Sequence, residues 1–328
     1  MAAADQIKSL IRSFGEGDDA RFYATAMQIA ATEARNGHTA LAEDLKKLID
    51  KAKHGKVSQS GIIRNMPMKA SPQELQDLLE MLQPQEKMHQ MVLNANVKGM
   101  LTRVLDEQRK IELLQQHNLY PRKKLLFTGP PGCGKTMSAK MLAGELGLPL
   151  FVIRLDGLIS RYMGESISKL RLIFEAMHQF RAVYLFDEFD SIGTTRHRSN
   201  DAGEMKRILN TFLLQIEKDD SNSLIVAATN LPETLDEALF RRFDDIISFP
   251  YPNQQEIIEL YKRELLTTHI SLFFPMDEIS NLSKGLSFAE INRVCEDIKK
   301  HMLIYGDIEI TGDKFLEFVR HRKKPFQT

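Results

Sequence analysis

The sequence has little cysteine, no surplus of either charge and no long apolar run, and each shortage removes a class of function. Its two cysteines, Cys133 and Cys295, have neither a C-x-x-C nor a metal-type spacing. That argues against a disulfide framework and for a reducing compartment. Lys plus Arg and Asp plus Glu both number 44, so the overall balance does not point to nucleic acid as the main partner, although a local basic patch stays open. No stretch approaches the roughly 18 consecutive apolar residues of a membrane span, and residues 1–13 lack a charged segment followed by an apolar one. The expectation is a cytoplasmic protein with no membrane partner.

What the chain does have is length and apolar content. With 328 residues, 43% of them hydrophobic, and 18 Phe, it can fold as two or three domains with a sizeable core. Residues 1–55 read as a small helical domain: Ile7, Leu10, Ile11 and Phe14 recur at helical spacing, the pattern resumes over 18–35, and Leu41, Leu45, Leu48 and Ile49 share a face. Its charged faces are either solvated surface or a docking module. Residues 56–88 read as a linker and a connecting helix. Ser71-Pro72-Gln73-Glu74 signals the helix start, an S-x-x-E capping box with proline at the first helical position. A longer helical stretch is expected from about 84 to 117, with Val97, Leu101, Val104 and Leu105 on one side. Over 89–250 short apolar runs alternate with helical patterns, which predicts an α/β domain with a mainly parallel sheet covered on both faces. Helices alone return over 251–328, a candidate lid.

The α/β segment is organised around Gly129-Pro130-Pro131-Gly132-Cys133-Gly134-Lys135-Thr136, which fits G-x-x-x-x-G-K-[ST]. The strand-like run Leu125-Leu126-Phe127 precedes it, and a helical pattern follows from Met137. Small residues let successive N–H groups curl around a phosphate, and the helix N-terminus adds its positive end. Lys135 would reach the β- and γ-phosphates, and the Thr136 hydroxyl would hold Mg²⁺. The apolar run Val183-Tyr184-Leu185-Phe186 ends in Asp187-Glu188, 52 positions after Lys135. Ligands of a doubly wound sheet sit at the carboxyl ends of its strands, so this pair can meet the loop. Asp187 would hold Mg²⁺ through its water shell, and Glu188 would orient and deprotonate the attacking water. A further run, residues 224–229, ends in Asn230. Alone it reads as a strand-end turn residue; beside the other motifs its amide is a candidate for contacting both the γ-phosphate and the water. Arg241 and Arg242 follow, and their spacing alone makes them surface charge or helix C-terminal partners.

In this order and at this spacing, Gly129 to Thr136, Tyr184-Leu185-Phe186-Asp187-Glu188-Phe189-Asp190, Ala227-Ala228-Thr229-Asn230 and residues 235–245 around Arg241-Arg242 resemble the AAA family of ATPases. The resemblance extends over about residues 90–325. It implies a P-loop α/β core with a helical lid, ATP and Mg²⁺ as cofactors, and a homo-oligomer, usually a hexameric ring, with ATP at the subunit interfaces. It also implies that Arg241 or Arg242 enters the neighbour's site as a finger stabilising charge on the γ-phosphate. The commonest family pattern separates these arginines by two residues, so their adjacency leaves open which one is the finger. Met137 and Ala289 would join the phosphate loop in contacting the nucleotide. Ala289 lies in Gly285-Leu286-Ser287-Phe288-Ala289-Glu290, where Phe288 replaces the family's glycine. Arg154 stands where members often carry Asn.

Arg161-Tyr162-Met163-Gly164 resembles the first pore loop of remodelling members, in which Tyr162 and Met163 would grip an extended polypeptide. Residues 195–198 would form a second pore loop. Residues 16–38 are similar to bacterial stand-alone AAA ATPases encoded beside a subtilisin-like serine protease, pairs associated with toxin–antitoxin-like or phage-defence systems. This chain carries no serine-protease motif of its own. The expected function is ATP-driven remodelling or unfolding of protein substrates by a ring. The alternative is an ATP-controlled assembly switch that never threads its partner, and remodelling of DNA or RNA is a third, less favoured reading.

Overall fold

The computed structural model describes residues 19–35, 42–47, 78–155, 165–190, 202–235, 237–266, 276–306 and 310–323. The chain forms two units, Met1–Asn65 and Met66–Thr328. In the first, helix α1 (Asp19–Arg35) buries Ala26 and Ala30, and Leu45 of a helical segment at 42–47 packs against them. The helix expected around Ile7 and Phe14 lies outside the described residues.

The second unit is built on a six-stranded sheet. Its strands are β1 (Leu79–Leu82), β2 (Lys124–Thr128), β3 (Leu150–Ile153), β4 (Val183–Phe186), β5 (Leu224–Thr229) and β6 (Asp245–Ser248). They lie side by side in the order β1-β3-β4-β5-β2-β6. Strands β2 to β6 are parallel, as the alternation of patterns predicts, whereas β1 runs antiparallel to β3 with Leu79 opposite Ile153. β4 and β5 are buried along their whole length because both faces of the sheet are covered. The edge strand β1 alternates instead, with Leu79 and Met81 buried and Glu80 exposed.

The helices of this unit are α2 (Ala95–Arg109), α3 (Ile111–Gln116), α4 (Lys135–Leu146), α5 (Glu165–Gln179), α6 (Ala202–Lys218), α7 (Glu237–Phe240), α8 (Gln254–Leu266), α9 (Met276–Leu282), α10 (Phe288–Tyr305) and α11 (Gly312–Lys323). On one face of the sheet α2 and α4 pack Val97, Leu101, Met141 and Leu142 onto Leu125 and Val226. Strand pleating sends Phe186 to the opposite face. There it meets Phe212 of α6 with ring centroids 5.0 Å apart, and Phe174 of α5 closes the cluster. Helices α8 to α11 enclose a core of their own around Tyr261, Ile291, Val294 and Phe315. Val92, from the segment ahead of α2, is buried in that tail core. Among the described residues no helix is long and apolar enough to cross a membrane.

One expectation is corrected. Strand β1 falls where the helix expected from Pro72 would run, and the stretch read as helical from about 84 to 117 opens with irregular residues up to 87 and a 3-10 turn at Met88–Gln90; α2 begins only at Ala95. The reason is tertiary. The segment is fastened across α4, where the Met88 N–H donates to Glu145 Oε1 at 3.1 Å. A Cβ on Gly144 would sit 2.4 Å from Glu86 O. Helix formation resumes where Asn94 supplies a cap, its Oδ1 accepting from the Asn96 N–H at 3.0 Å.

Candidate active site

Strand β2 delivers Gly129 at its carboxyl end, and the loop turns from there into α4. Gly129 has φ 138°, and a Cβ would stand 2.2 Å from Phe249 O. Two backbones pass there at a separation that admits no side chain. The N-terminus of α4 then points its positive end at the loop. Lys135, only 7% exposed, donates from Nζ to Gly129 O at 2.6 Å, Pro130 O at 2.9 Å and Asn230 Oδ1 at 2.8 Å. Burial pulls its pKa below the ordinary lysine value, opposed by neighbouring acidic groups, Asp187 and Asp190 among them.

The carboxyl end of β4 brings the acidic residues to the same point. Thr136 Oγ1 donates to Asp187 Oδ2 at 2.8 Å, so a hydroxyl of α4 and a carboxylate of β4 meet directly. Glu188 is exposed and left-handed, with φ 50°, a conformation seldom adopted without glycine, and its N–H donates to Asp187 Oδ1 at 3.0 Å. Asp190, two residues on, accepts at Oδ1 from Thr229 Oγ1 and from the Asn230 N–H, each at 3.1 Å. The turn after β4 therefore holds the end of β5.

Lys135, Thr136, Asp187, Glu188 and Asn230 border a cleft of about 490 Å³, within the size range of small-molecule sites. Pro131 through Met137 line one side together with Asp187, Glu188 and Asn230. Val92, Leu260 and Phe288 make an apolar part of the lining, with Ala289 beside them. The tail reaches the phosphate loop through the start of α10. Ser287 Oγ accepts from the Glu290 N–H at 3.3 Å, Glu290 Oε2 accepts from the Ser287 N–H at 2.7 Å, and the Ala289 N–H donates to Gly132 O at 3.1 Å. A Cβ on Gly132, where φ is 75°, would meet Ser287 Oγ at 2.7 Å. Phe288, in the place of the family's glycine, occupies the first turn of α10 and packs against the tail core, so nothing at that position calls for glycine.

Gly129 and Pro130 do not line the cleft; they contribute the carbonyls that hold Lys135. Cys133 is buried, and burial pushes its thiol up to about 11, so it stays protonated at neutral pH. Arg241 and Arg242 lie away from the lining. Arg241 pairs with Glu237 at 3.1 Å and Arg242 with Glu217 at 2.8 Å. Arg154 is exposed just past the end of β3, 3.8 Å from Glu80 of β1. Tyr162, Met163 and residues 195–198 lie outside the described residues. Val92 and Leu260 are cleft walls that sequence reasoning missed, and no local signal marks them. Asp190 was missed as well, although the third acidic residue in the run after β4 was a visible signal.

The arrangement offers a polyphosphate the loop backbone and the Lys135 side chain, with the carboxylates of Asp187 and Glu188 lining the same cleft. Residues 125–251 match the family model described as ATPase family associated with various cellular activities (AAA). The chain is 36% identical over 304 residues to a protein of Sinorhizobium fredii named as an uncharacterized AAA family ATPase, y4kL, covering 93% of this chain and 90% of that one. It is 30% identical over 205 residues to a chain of Methanothermobacter thermautotrophicus named as a putative homolog of a 26S proteasome regulatory subunit, covering 62% of this chain and 55% of that one. It is 36% identical over 187 residues to a human protein named for the katanin p60 ATPase, covering 54% of this chain and 38% of that one. The cleft at the carboxyl ends of β2, β4 and β5 and the near full-length match to y4kL agree: the chain belongs to the AAA family of ATPases and is an ATP hydrolase.

Proposed function

We propose that the protein is a ring-forming, Mg²⁺-dependent ATPase that couples hydrolysis to remodelling or unfolding of protein substrates. The observation that carries the ring is the situation of the two arginines. Their side chains are 75% and 41% exposed, each pairs with a surface carboxylate, and neither borders its own subunit's cleft. Such a group serves a second subunit better than its own. Within one subunit the loop backbone and Lys135 bind the phosphates, Glu188 accepts a proton from the attacking water, and Asn230 holds that water against the γ-phosphate. Arg241 or Arg242 of a neighbour completes the site.

Thr136 and Asp187 fit a hard divalent cation because their oxygens already converge. Among the described residues no group of three His, Cys, Asp or Glu could hold a metal, so phosphate and water oxygens would supply the other ligands, as Mg²⁺ prefers. Bound there, Mg²⁺ would supply positive charge to offset that of the phosphates.

We take residues 89–250 as the ATPase domain, 251–328 as its lid and 1–55 as a helical domain joined through 56–88. The relative named for the 26S proteasome supports a protein substrate, gripped by Tyr162 and Met163. A subtilisin-like serine protease as working partner rests on the resemblance of residues 16–38. A cytoplasmic setting is supported by two free, buried cysteines.

The test is the mass of the Glu188→Gln protein with and without Mg-ATP. Growth from small species to about six subunits is expected. A monomer with ATP demonstrably bound rejects the ring and the shared arginine together. Tyr162→Ala then separates threading from an assembly switch, because a threading ring loses remodelling and keeps hydrolysis.

A further inference from the structure

We infer that Asp190 is a positioning residue for hydrolysis, the anchor that aims Asn230 at the terminal phosphate. This rests on the role proposed above for Asn230. Asp190 does not border the cleft, so it touches no substrate and acts through its neighbour.

The bonds form one connected path. The Phe189 N–H donates to Ala228 O at 2.8 Å, locking the turn after β4 to β5. Asp190 Oδ1 then takes both the Thr229 hydroxyl and the Asn230 N–H at 3.1 Å. Thr229 Oγ1, so oriented, accepts from the Leu231 N–H at 3.1 Å. Three consecutive residues at the end of β5 are thereby fixed to the turn that carries Asp187 and Glu188. From this fixed backbone the Asn230 side chain reaches Lys135 Nζ at 2.8 Å. A carboxylate suits the task because hydrogen bonds to an ionised acceptor are stronger than neutral ones. Remove it, and a strand-end asparagine has the freedom of a turn, where a shift of about 1 Å costs on the order of 100-fold in rate.

The experiment measures kcat and KM for ATP hydrolysis and Kd for ADP on the full chain, for N230A, D190A, D190N and D190A/N230A, with thermal melts alongside. N230A should lower kcat on the order of 100-fold. D190A should lower it by about tenfold or more with ADP affinity unchanged, since ADP lacks the terminal phosphate. D190N should recover to within about threefold of the parent, because both bonds end on Oδ1 and asparagine keeps an acceptor there. The double variant should be no slower than N230A, since the two changes remove one function. If the two factors multiply, or if D190A turns over at the parent rate while N230A is slow, the anchor is overturned. If N230A itself turns over at the parent rate, the sensing role of Asn230 fails first and the anchor falls with it, a distinct result. Should D190A fail to fold, T229V, which removes one of the two bonds to Oδ1, must lower kcat without changing ADP affinity, and an unchanged kcat refutes the anchor.

Discussion

Lys135 sits where water scarcely reaches it, and two loop carbonyls and the Asn230 amide oxygen take the place of that water. Truncation to Lys135→Ala leaves those acceptors unmatched and removes the cation a phosphate would meet. We expect ATP affinity to fall by at least about tenfold, the size of a lost charged hydrogen bond, in a fluorescent-nucleotide titration. Cys133 makes the opposite case. It sits in the middle of the phosphate loop, yet its thiol is buried and its pKa is pushed up to about 11. At a pH of about 7.5 a disulfide reagent should modify it slowly in the folded protein and at once in denaturant. Fast modification with loss of ATPase activity would refute that assignment. Asp187, Glu188 and Asn230 were readable from sequence because strand ends of a parallel sheet converge. Asp190 was visible as a third acidic residue in that run, but its meaning was not, since it depends on knowing that the end of β5 lies within hydrogen-bond reach of the turn after β4.

Among the tail helices, α10 is the one whose start meets the phosphate loop. Ser287 caps it, Gly132 leaves room for that cap, and the Ala289 N–H closes onto the loop. Loss of the cap in Ser287→Ala should cost about 1 kcal/mol of stability, measured by urea unfolding, and should raise KM for ATP with little change in kcat. A lower kcat at unchanged KM would mean that the cap has no part in holding nucleotide. The parallel strands and the helical character of the tail were legible as periodic apolar runs bounded by turns. The edge strand was not. Leu79 to Leu82 alternates over four residues only, too short to separate strand from helix by period. Its state is decided by β3, which begins at Leu150, far away in sequence. The same holds for Val92, which looks like a helix residue in a helical stretch and is instead a wall of the cleft.

At the scale of the whole molecule, the proposed ring turns on a site that one subunit leaves unfinished. Arg241→Ala and Arg242→Ala should each bind ATP normally, and the one that is the finger should lose about 10³-fold or more in kcat. Mixing that variant with Glu188→Gln should restore part of the hydrolysis. The Glu188→Gln subunit donates its intact arginine to a neighbour whose own glutamate is present. Mixtures that stay inactive, with assembly verified by mass, would show that the arginine works within its own subunit.

Strand β1 has a practical consequence for anyone who wishes to isolate the ATPase. A cut at residue 89, where the apolar alternation begins, discards Leu79 to Leu82 and leaves the outer backbone of β3 with unpaired donors and acceptors from Leu150 to Ile153. An uncovered edge of that kind recruits other chains. The smallest well-behaved fragment must therefore start upstream of Leu78, which is itself buried and accepts the Arg154 N–H at 2.9 Å. Whatever pulls on the N-terminal side of β1 pulls directly on the sheet whose strand β4 leads into Asp187 and Glu188.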